Sequence, residues 1–135
     1  MPIALDTNVL VRFLTQDDTE QFEIAQDIIN NCSAKQPAFI CREVLVELVW
    51  VLERSYKYSR NEITAAVMGL ISATELHVET AQDVAEILPL YQNEGFGFSD
   101  LMIRQAAIKN GGRDLQTFDR KAAKLAGVTL LGTSH

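Results

Sequence analysis

The sequence predicts an α/β fold: a three-layer α/β/α sandwich whose short-stranded, mostly parallel central sheet has four or five strands. Two patterns and a composition lead there. Short apolar runs alternate with longer segments of helical hydrophobic spacing along the whole chain, as in βαβ units with helices on both faces of a sheet. Residues that favour caps and turns stand where one pattern gives way to the other. At 135 residues, with 47% hydrophobic and 22% charged side chains, the chain reads as one globular domain over 1–135. A domain of that size buries most of its unfolded surface without disulfide staples.

Pro2 to Leu5 is the first strand-like run, and it stops at Asp6, Thr7 and Asn8. Val9 to Leu14 reads as a short helix, and Asp18 to Asn31 as a longer one with acids in its first turns. Pro37 opens a strand, Ala38 to Ile40. Arg42 to Tyr56 is then strongly helical and apolar on almost every side, which predicts burial. Ser59 and Glu62 form a capping-box pair at the head of another helix. Leu76 to Val78 is a strand, and Thr80 is placed to cap a helix that Pro89 kinks or ends. Ser99 is a natural N-cap for a helix from Asp100 to Lys109. Leu115 to Phe118 is a strand, Asp119 to Ala126 a helix closed by Gly127, and Val128 to Leu131 a last strand.

Charge and residue counts exclude several classes of function. Twelve Lys and Arg against eighteen Asp and Glu leave a net charge of −6, which argues against a protein held on nucleic acid mainly by phosphate contacts. It does not exclude a nuclease, because a bound cation changes the local charge of a site. Cys32 and Cys41 are spaced neither as a redox pair nor as a disulfide framework, so reduced thiols acting as small hydrophobes are expected. The N-terminal run is interrupted by Asp6 and lacks a basic leader, and no apolar stretch approaches a membrane span of roughly 20 residues. A cytoplasmic location is the expectation. With only His77 and His135, a Ser-His-Asp triad and a histidine-rich zinc site lack their parts. Catalysis would have to run on carboxylates, hydroxyls or a metal held by oxygen.

In parallel α/β sheets, ligands sit beyond the carboxyl ends of the strands. Asp6 directly follows the first strand, Asp119 follows Leu115 to Phe118, and Asp100 opens a helix after a glycine loop. Each also has a plain structural reading, as a turn residue, a cap or a helix-dipole partner. Glu47 stands in the most apolar segment. It is either part of a solvated stripe with Glu43 and Arg54, or a buried or cleft-facing carboxylate that needs a cation. Should the four converge, pairs of carboxylates roughly 5 Å apart repel by about 3 kcal/mol each at an effective dielectric of 20. A divalent cation would relieve this, and oxygen donors select Mg2+ or Mn2+. Such an ion activates water and neutralises charge on a phosphodiester.

LDTNVL at 5–10, EVLVELVWVL at 43–52, GFSDLMI at 97–103 and TFDRKAAKLAGV at 117–128 resemble the four signature segments of the PIN-domain family. Within it they are most similar to the VapC-type toxins of bacterial toxin–antitoxin pairs, and the resemblance spans nearly the whole chain. It implies that Asp6, Glu47, Asp100 and Asp119 bind Mg2+ or Mn2+ and form the catalytic set of an endoribonuclease. Asn8 and Thr117 match polar positions that support the acids. The resemblance also implies an RNA substrate, a homodimer and a small antitoxin protein that occludes the acidic cleft. Glu43, one turn from Glu47, is the competing second-motif acid.

Other residues carry weaker expectations. Arg120, Lys121 and Lys124 form the densest basic cluster and are candidate RNA contacts, with Arg12 and Arg113 as lesser ones. Trp50 is expected in the core, with base stacking as its functional alternative. The stretches Val9 to Ile29 and Ile63 to Ile71 hold more apolar side chains than a small sheet needs, which suggests an interaction surface. The competing functional readings are a PIN nuclease of RNA maturation and a non-catalytic α/β regulatory module. A receiver-like module is disfavoured because Asp6 has no adjacent acid.

Overall fold

Residues 2–132 are described by the computed structural model, and caps set many of its element boundaries. Asp6 takes extended backbone and caps α1, Thr7–Thr15; Gln16 closes that helix in the left-handed region. Asp18 caps α2, Thr19–Asn30, by accepting from the Gln21 N–H at 3.0 Å. Strand β1, Ala38–Ile40, leads through Cys41 into α3, Arg42–Arg54. The predicted capping box at α4, Arg60–Ser72, is present in both directions: Glu62 N–H to Ser59 Oγ at 3.1 Å, and Ser59 N–H to Glu62 Oε1 at 2.8 Å. Strand β2, Leu76–Val78, follows, then α5, Ala81–Glu94, and α6, Phe98–Lys109. Strands β3, Leu115–Thr117, and β4, Val128–Leu130, complete the described elements, with a 3-10 turn at Ala122–Lys124 between them.

The chain forms two compact units, residues 2–85 and 86–132, each with a two-stranded parallel sheet. In the first, β1 pairs with β2 in the register Ala38↔Leu76 to Ile40↔Val78. Ala4 adds one parallel bridge to Phe39, with Leu5 N–H donating to the Phe39 carbonyl at 2.9 Å. In the second, β3 pairs with β4 from Leu115↔Val128 to Thr117↔Leu130. The predicted sheet of four or five strands therefore differs from the observed pairing, which is two by two plus a bridge. The predicted first strand contributes only that bridge because Asp6 turns the chain into α1 immediately after it.

Helical spacing sets the core. In α3, Leu45, Leu48, Val49 and Leu52 are buried, and they are matched by Ile63, Val67 and Leu70 of α4 and by Ala38, Ile40, Leu76 and Val78 of the strands. Each large aliphatic side chain so buried contributes about 1.5–3 kcal/mol. In the second unit Tyr91 of α5 meets Phe98 of α6 edge to face at 5.6 Å. Buried Gln105 there donates to Glu86 at 2.6 Å.

Several local expectations are corrected. Trp50 is 53% exposed instead of lying in the core, and of the two positions open to Glu47 it takes the exposed one. Pro89 lies inside α5, which neither ends nor starts there. The hydroxyl of Thr80 donates to the Glu79 carbonyl at 2.7 Å and accepts from Arg42 at 3.0 Å. Gly97, not Ser99, is the N-cap residue of α6, and Ser99 lies in its first turn. The predicted helix from Asp119 to Ala126 is only the 3-10 turn, since Gly127 takes φ +78° and the chain must return into β4. His77 is exposed and edge-on to Phe39 at 5.5 Å. Cys32 and Cys41 are free and half-buried. His135 lies outside the described residues.

Ser59→Ala removes one arm of the capping box, and urea unfolding is expected to show a loss of about 1 kcal/mol with an unchanged denaturant slope.

Candidate metal centre

In the first unit the acids are organised by Thr7. This residue is buried, and its N–H donates to Asp6 Oδ1 at 2.7 Å while its hydroxyl donates to Glu47 Oε1. One threonine thus ties the acid that ends the first extended segment to an acid in the second turn of α3. Asp6, Asn8 and Glu47 line a cleft of about 480 Å3 together with Arg12, Val51 and Tyr56. Glu47 is the α3 acid on this cleft; Glu43 is exposed and is not among its lining residues. The exposed positions Glu43, Glu47, Trp50 and Arg54 form a single stripe along α3, with the Arg54 guanidinium 5.2 Å from the Trp50 ring. Glu47 thus lies on the exposed stripe and on the cleft wall at once, with the Thr7 hydroxyl as its hydrogen-bond donor. Asn8 lines the cleft without a hydrogen bond to either acid.

Arg12 is tied down on the same wall. Its Nε donates to Gln21 at 2.7 Å, and its Nη1 lies 3.1 Å from both Asp17 Oδ1 and the Tyr56 hydroxyl. Burial weighs against its charge, but Asp17 and Tyr56 outweigh that and raise its pKa above the ordinary value. The Tyr56 hydroxyl, donating at 2.8 Å, is the main reason the Asp17 carboxyl sits below its usual range. This network braces α1 against α2 and the end of α3.

In the second unit Asp100 lies in the first turn of α6, where the exposed N–H groups favour negative charge. Even so, its pKa is raised, first by partial burial and second by the charge of Asp119. Gly97 leaves room for this carboxylate, since a β-carbon there would stand 2.9 Å from Asp100 Oδ2. Asp119 follows β3 and acts as a cap, its Oδ1 accepting from the N–H groups of Lys121 at 2.9 Å and Ala122 at 3.0 Å. The Thr117 hydroxyl oxygen accepts from the Asp119 main-chain N–H at 3.0 Å. Arg120, Lys121 and Lys124 are all exposed. Arg113 is turned to the Asn110 carbonyl at 2.8 Å.

The structure thus brings the predicted acids together two by two within the units, Asp6 with Glu47 and Asp100 with Asp119. Within either unit, among the described residues, no three His, Cys, Asp or Glu are gathered so as to hold a metal. The donor chemistry fits a hard divalent cation: every donor is a carboxylate oxygen, and Asp100 is placed where its charge is disfavoured until something positive arrives. Sequence reasoning missed Thr7, Gly97 and Tyr56 as contributors. Thr7 and Gly97 sit inside the motif segments that carry Asp6 and Asp100, which is the signal that would have found them; for Tyr56 there is none.

A family model for the PIN domain matches residues 3–128. The chain is similar to the VapC ribonuclease of Aquifex aeolicus (strain VF5), with 31% identity over 127 residues, covering 93% of each chain. No solved structure matches it.

Two expectations follow from the Asp100 environment. Because its folded pKa is raised, the fold is favoured below the ordinary carboxylate value and loses that advantage as pH rises through the raised one. Metal-free Asp100→Asn is therefore expected to melt about 1–2 °C above wild type at neutral pH, the difference vanishing below pH of about 4 in calorimetric scans. Gly97→Ala should leave melting nearly unchanged while displacing the Asp100 carboxylate, weakening Mn2+ binding about tenfold by titration calorimetry.

Proposed function

The chain belongs to the PIN-domain family, and from that premise we propose that it is a Mg2+- or Mn2+-dependent endoribonuclease, the toxin of a toxin–antitoxin pair. The observation that carries this reading is the pairing of acids without compensating cations. Asp6 and Glu47 share a cleft, Asp100 lies under the charge of Asp119, and none of the four is in an ion pair among the described residues. Carboxylates that repel one another lower stability unless a cation joins them. We take Asp6, Glu47, Asp100 and Asp119 as one metal-binding and catalytic set.

The residues then divide the work. Thr7 fixes the orientation of Glu47 and occupies one oxygen of Asp6, leaving Asp6 Oδ2 outside that bond. The main-chain N–H groups of the 3-10 turn do the same for Asp119, leaving its Oδ2 outside theirs. Gly97 keeps the Asp100 carboxylate unobstructed. When bound, the divalent ion supplies water activation and charge neutralisation at the phosphodiester. A carboxylate of the set accepts the proton of the attacking water as the phosphorus–oxygen bond breaks. Arg120, Lys121 and Lys124 are exposed cations suited to the RNA backbone.

A groove of about 450 Å3 between α1 and α2 supports the partner part of the reading. Ile24 and Ile28, 54% and 37% exposed, form its apolar wall, and Asn8 and Arg12 line both this groove and the acidic cleft. An antitoxin segment seated on the isoleucines would therefore abut Asp6 and Glu47. A homodimer and action in the cytoplasm complete the proposal; among the described residues no helix is long and apolar enough to cross a membrane.

The deciding experiment titrates Mn2+ into metal-stripped wild type and Asp6→Asn, then adds RNA to the same samples. The expected result is metal binding and RNA cleavage by wild type, with cleavage by Asp6→Asn or Asp100→Asn reduced at least about 100-fold while circular dichroism shows an intact fold. Wild-type protein that binds no Mn2+ and cuts no RNA would remove the reading.

A further inference from the structure

Phe118 stands directly before Asp119 and is 77% exposed, the most open of the large apolar side chains described. Isolated exposed apolar residues are ordinary, but this one is mounted on fixed main chain. On one side of it the Thr117 carbonyl accepts from the Leu131 N–H at 2.7 Å; on the other the Asp119 N–H donates to the Thr117 hydroxyl at 3.0 Å, and Asp119 Oδ1 caps the following turn. An edge of the ring borders Gly132, where a β-carbon would stand 3.4 Å from Phe118 Cε1. The ring has no aromatic or cation partner among the described residues. Its main chain is therefore held in place, and most of the ring surface is open.

The chemistry around the ring indicates what covers it. The residues that follow are Asp119, Arg120 and Lys121, with Lys124 at the end of the turn, and all three cations are exposed. The Lys121 ammonium lies beside Gly95, in the loop that leads to α6 and Asp100. A protein helix docking by apolar contact would find a single exposed ring followed along the chain by four exposed charges. A nucleotide chain presents a flat π-face for the ring and phosphates for the cations. We propose that Phe118 stacks on a base of the bound RNA while Arg120, Lys121 and Lys124 take adjacent phosphates, so that the strand is held in register with Asp119. The proposal rests on the ribonuclease reading and assigns Phe118 as a substrate-positioning residue.

Stacking tolerates every base but needs an unpaired one. The full chain loaded with Mn2+ is therefore assayed on a single-stranded RNA oligonucleotide and on the same sequence in a duplex, as wild type, Phe118→Ala and Phe118→Trp. Phe118→Ala is expected to raise KM for the single strand about tenfold, with kcat within about threefold and an unchanged melting temperature. Phe118→Trp should restore KM and show fluorescence quenching on RNA addition beyond that of Trp50 in wild type. An unchanged KM in Phe118→Ala, or no added quenching in Phe118→Trp, overturns the proposal. So does a loss of self-association in Phe118→Ala, by light scattering, with KM unchanged, because a second copy would then cover the ring. A wild type that cuts neither substrate defeats the ribonuclease reading, and the quenching arm then decides by itself whether a base stacks on this position.

Discussion

Two hydrogen bonds from one buried threonine organise the first unit. Thr7 donates its N–H to Asp6 and its hydroxyl to Glu47, and it is also the first residue of α1. Helix start, acid orientation and the crossing of α1 with α3 are therefore one arrangement. A buried hydroxyl must find an acceptor or carry a penalty of about 1–3 kcal/mol. Here the acceptor is a carboxylate, which makes a stronger hydrogen bond than a neutral oxygen. The same bond that stabilises the fold holds Glu47 at the cleft.

The second unit solves the same problem with main chain. Asp119 caps a 3-10 turn, and Asp100 occupies the first turn of α6 beside a glycine that leaves it space. Asp6 and Asp119 each stand at an element boundary and perform a structural task with one oxygen of the carboxylate. The structural and functional readings of Asp6 and Asp119 are thus not rivals. A cap uses one oxygen, and a carboxylate has two.

The residues around the acids show a division between rigid and open surface. Arg12 is braced by Gln21, Asp17 and Tyr56, so its charge is largely committed inside the protein. Arg120, Lys121 and Lys124 stand open on the opposite terminus of the chain, in a protein whose net charge is −6. Exposed cations grouped beside one acid give a local positive field in a chain whose net charge is negative.

The features legible in the sequence were those decided within a few residues. The Ser59–Glu62 capping box, the strand at Ala38–Ile40 and the breaks at Asp6 and Asp18 all follow from local chemistry, because caps and helical periodicity act over one or two turns. Tertiary structure decided exposure and pairing. Trp50 sits in a run so apolar that the sequence places it inside, and the same run leaves the side taken by Glu47 undecided; packing covers only the Leu45, Leu48, Val49 and Leu52 face of α3 and leaves the stripe of both residues open. The helix predicted after Asp119 shrinks to one turn because β4 must return to pair with β3. The open ring of Phe118 has no local signal, since a strand-end aromatic is buried or bare according to what lies across from it. Which face of an element is covered depends on partners distant in sequence, and that is the part of the physics a linear pattern does not contain.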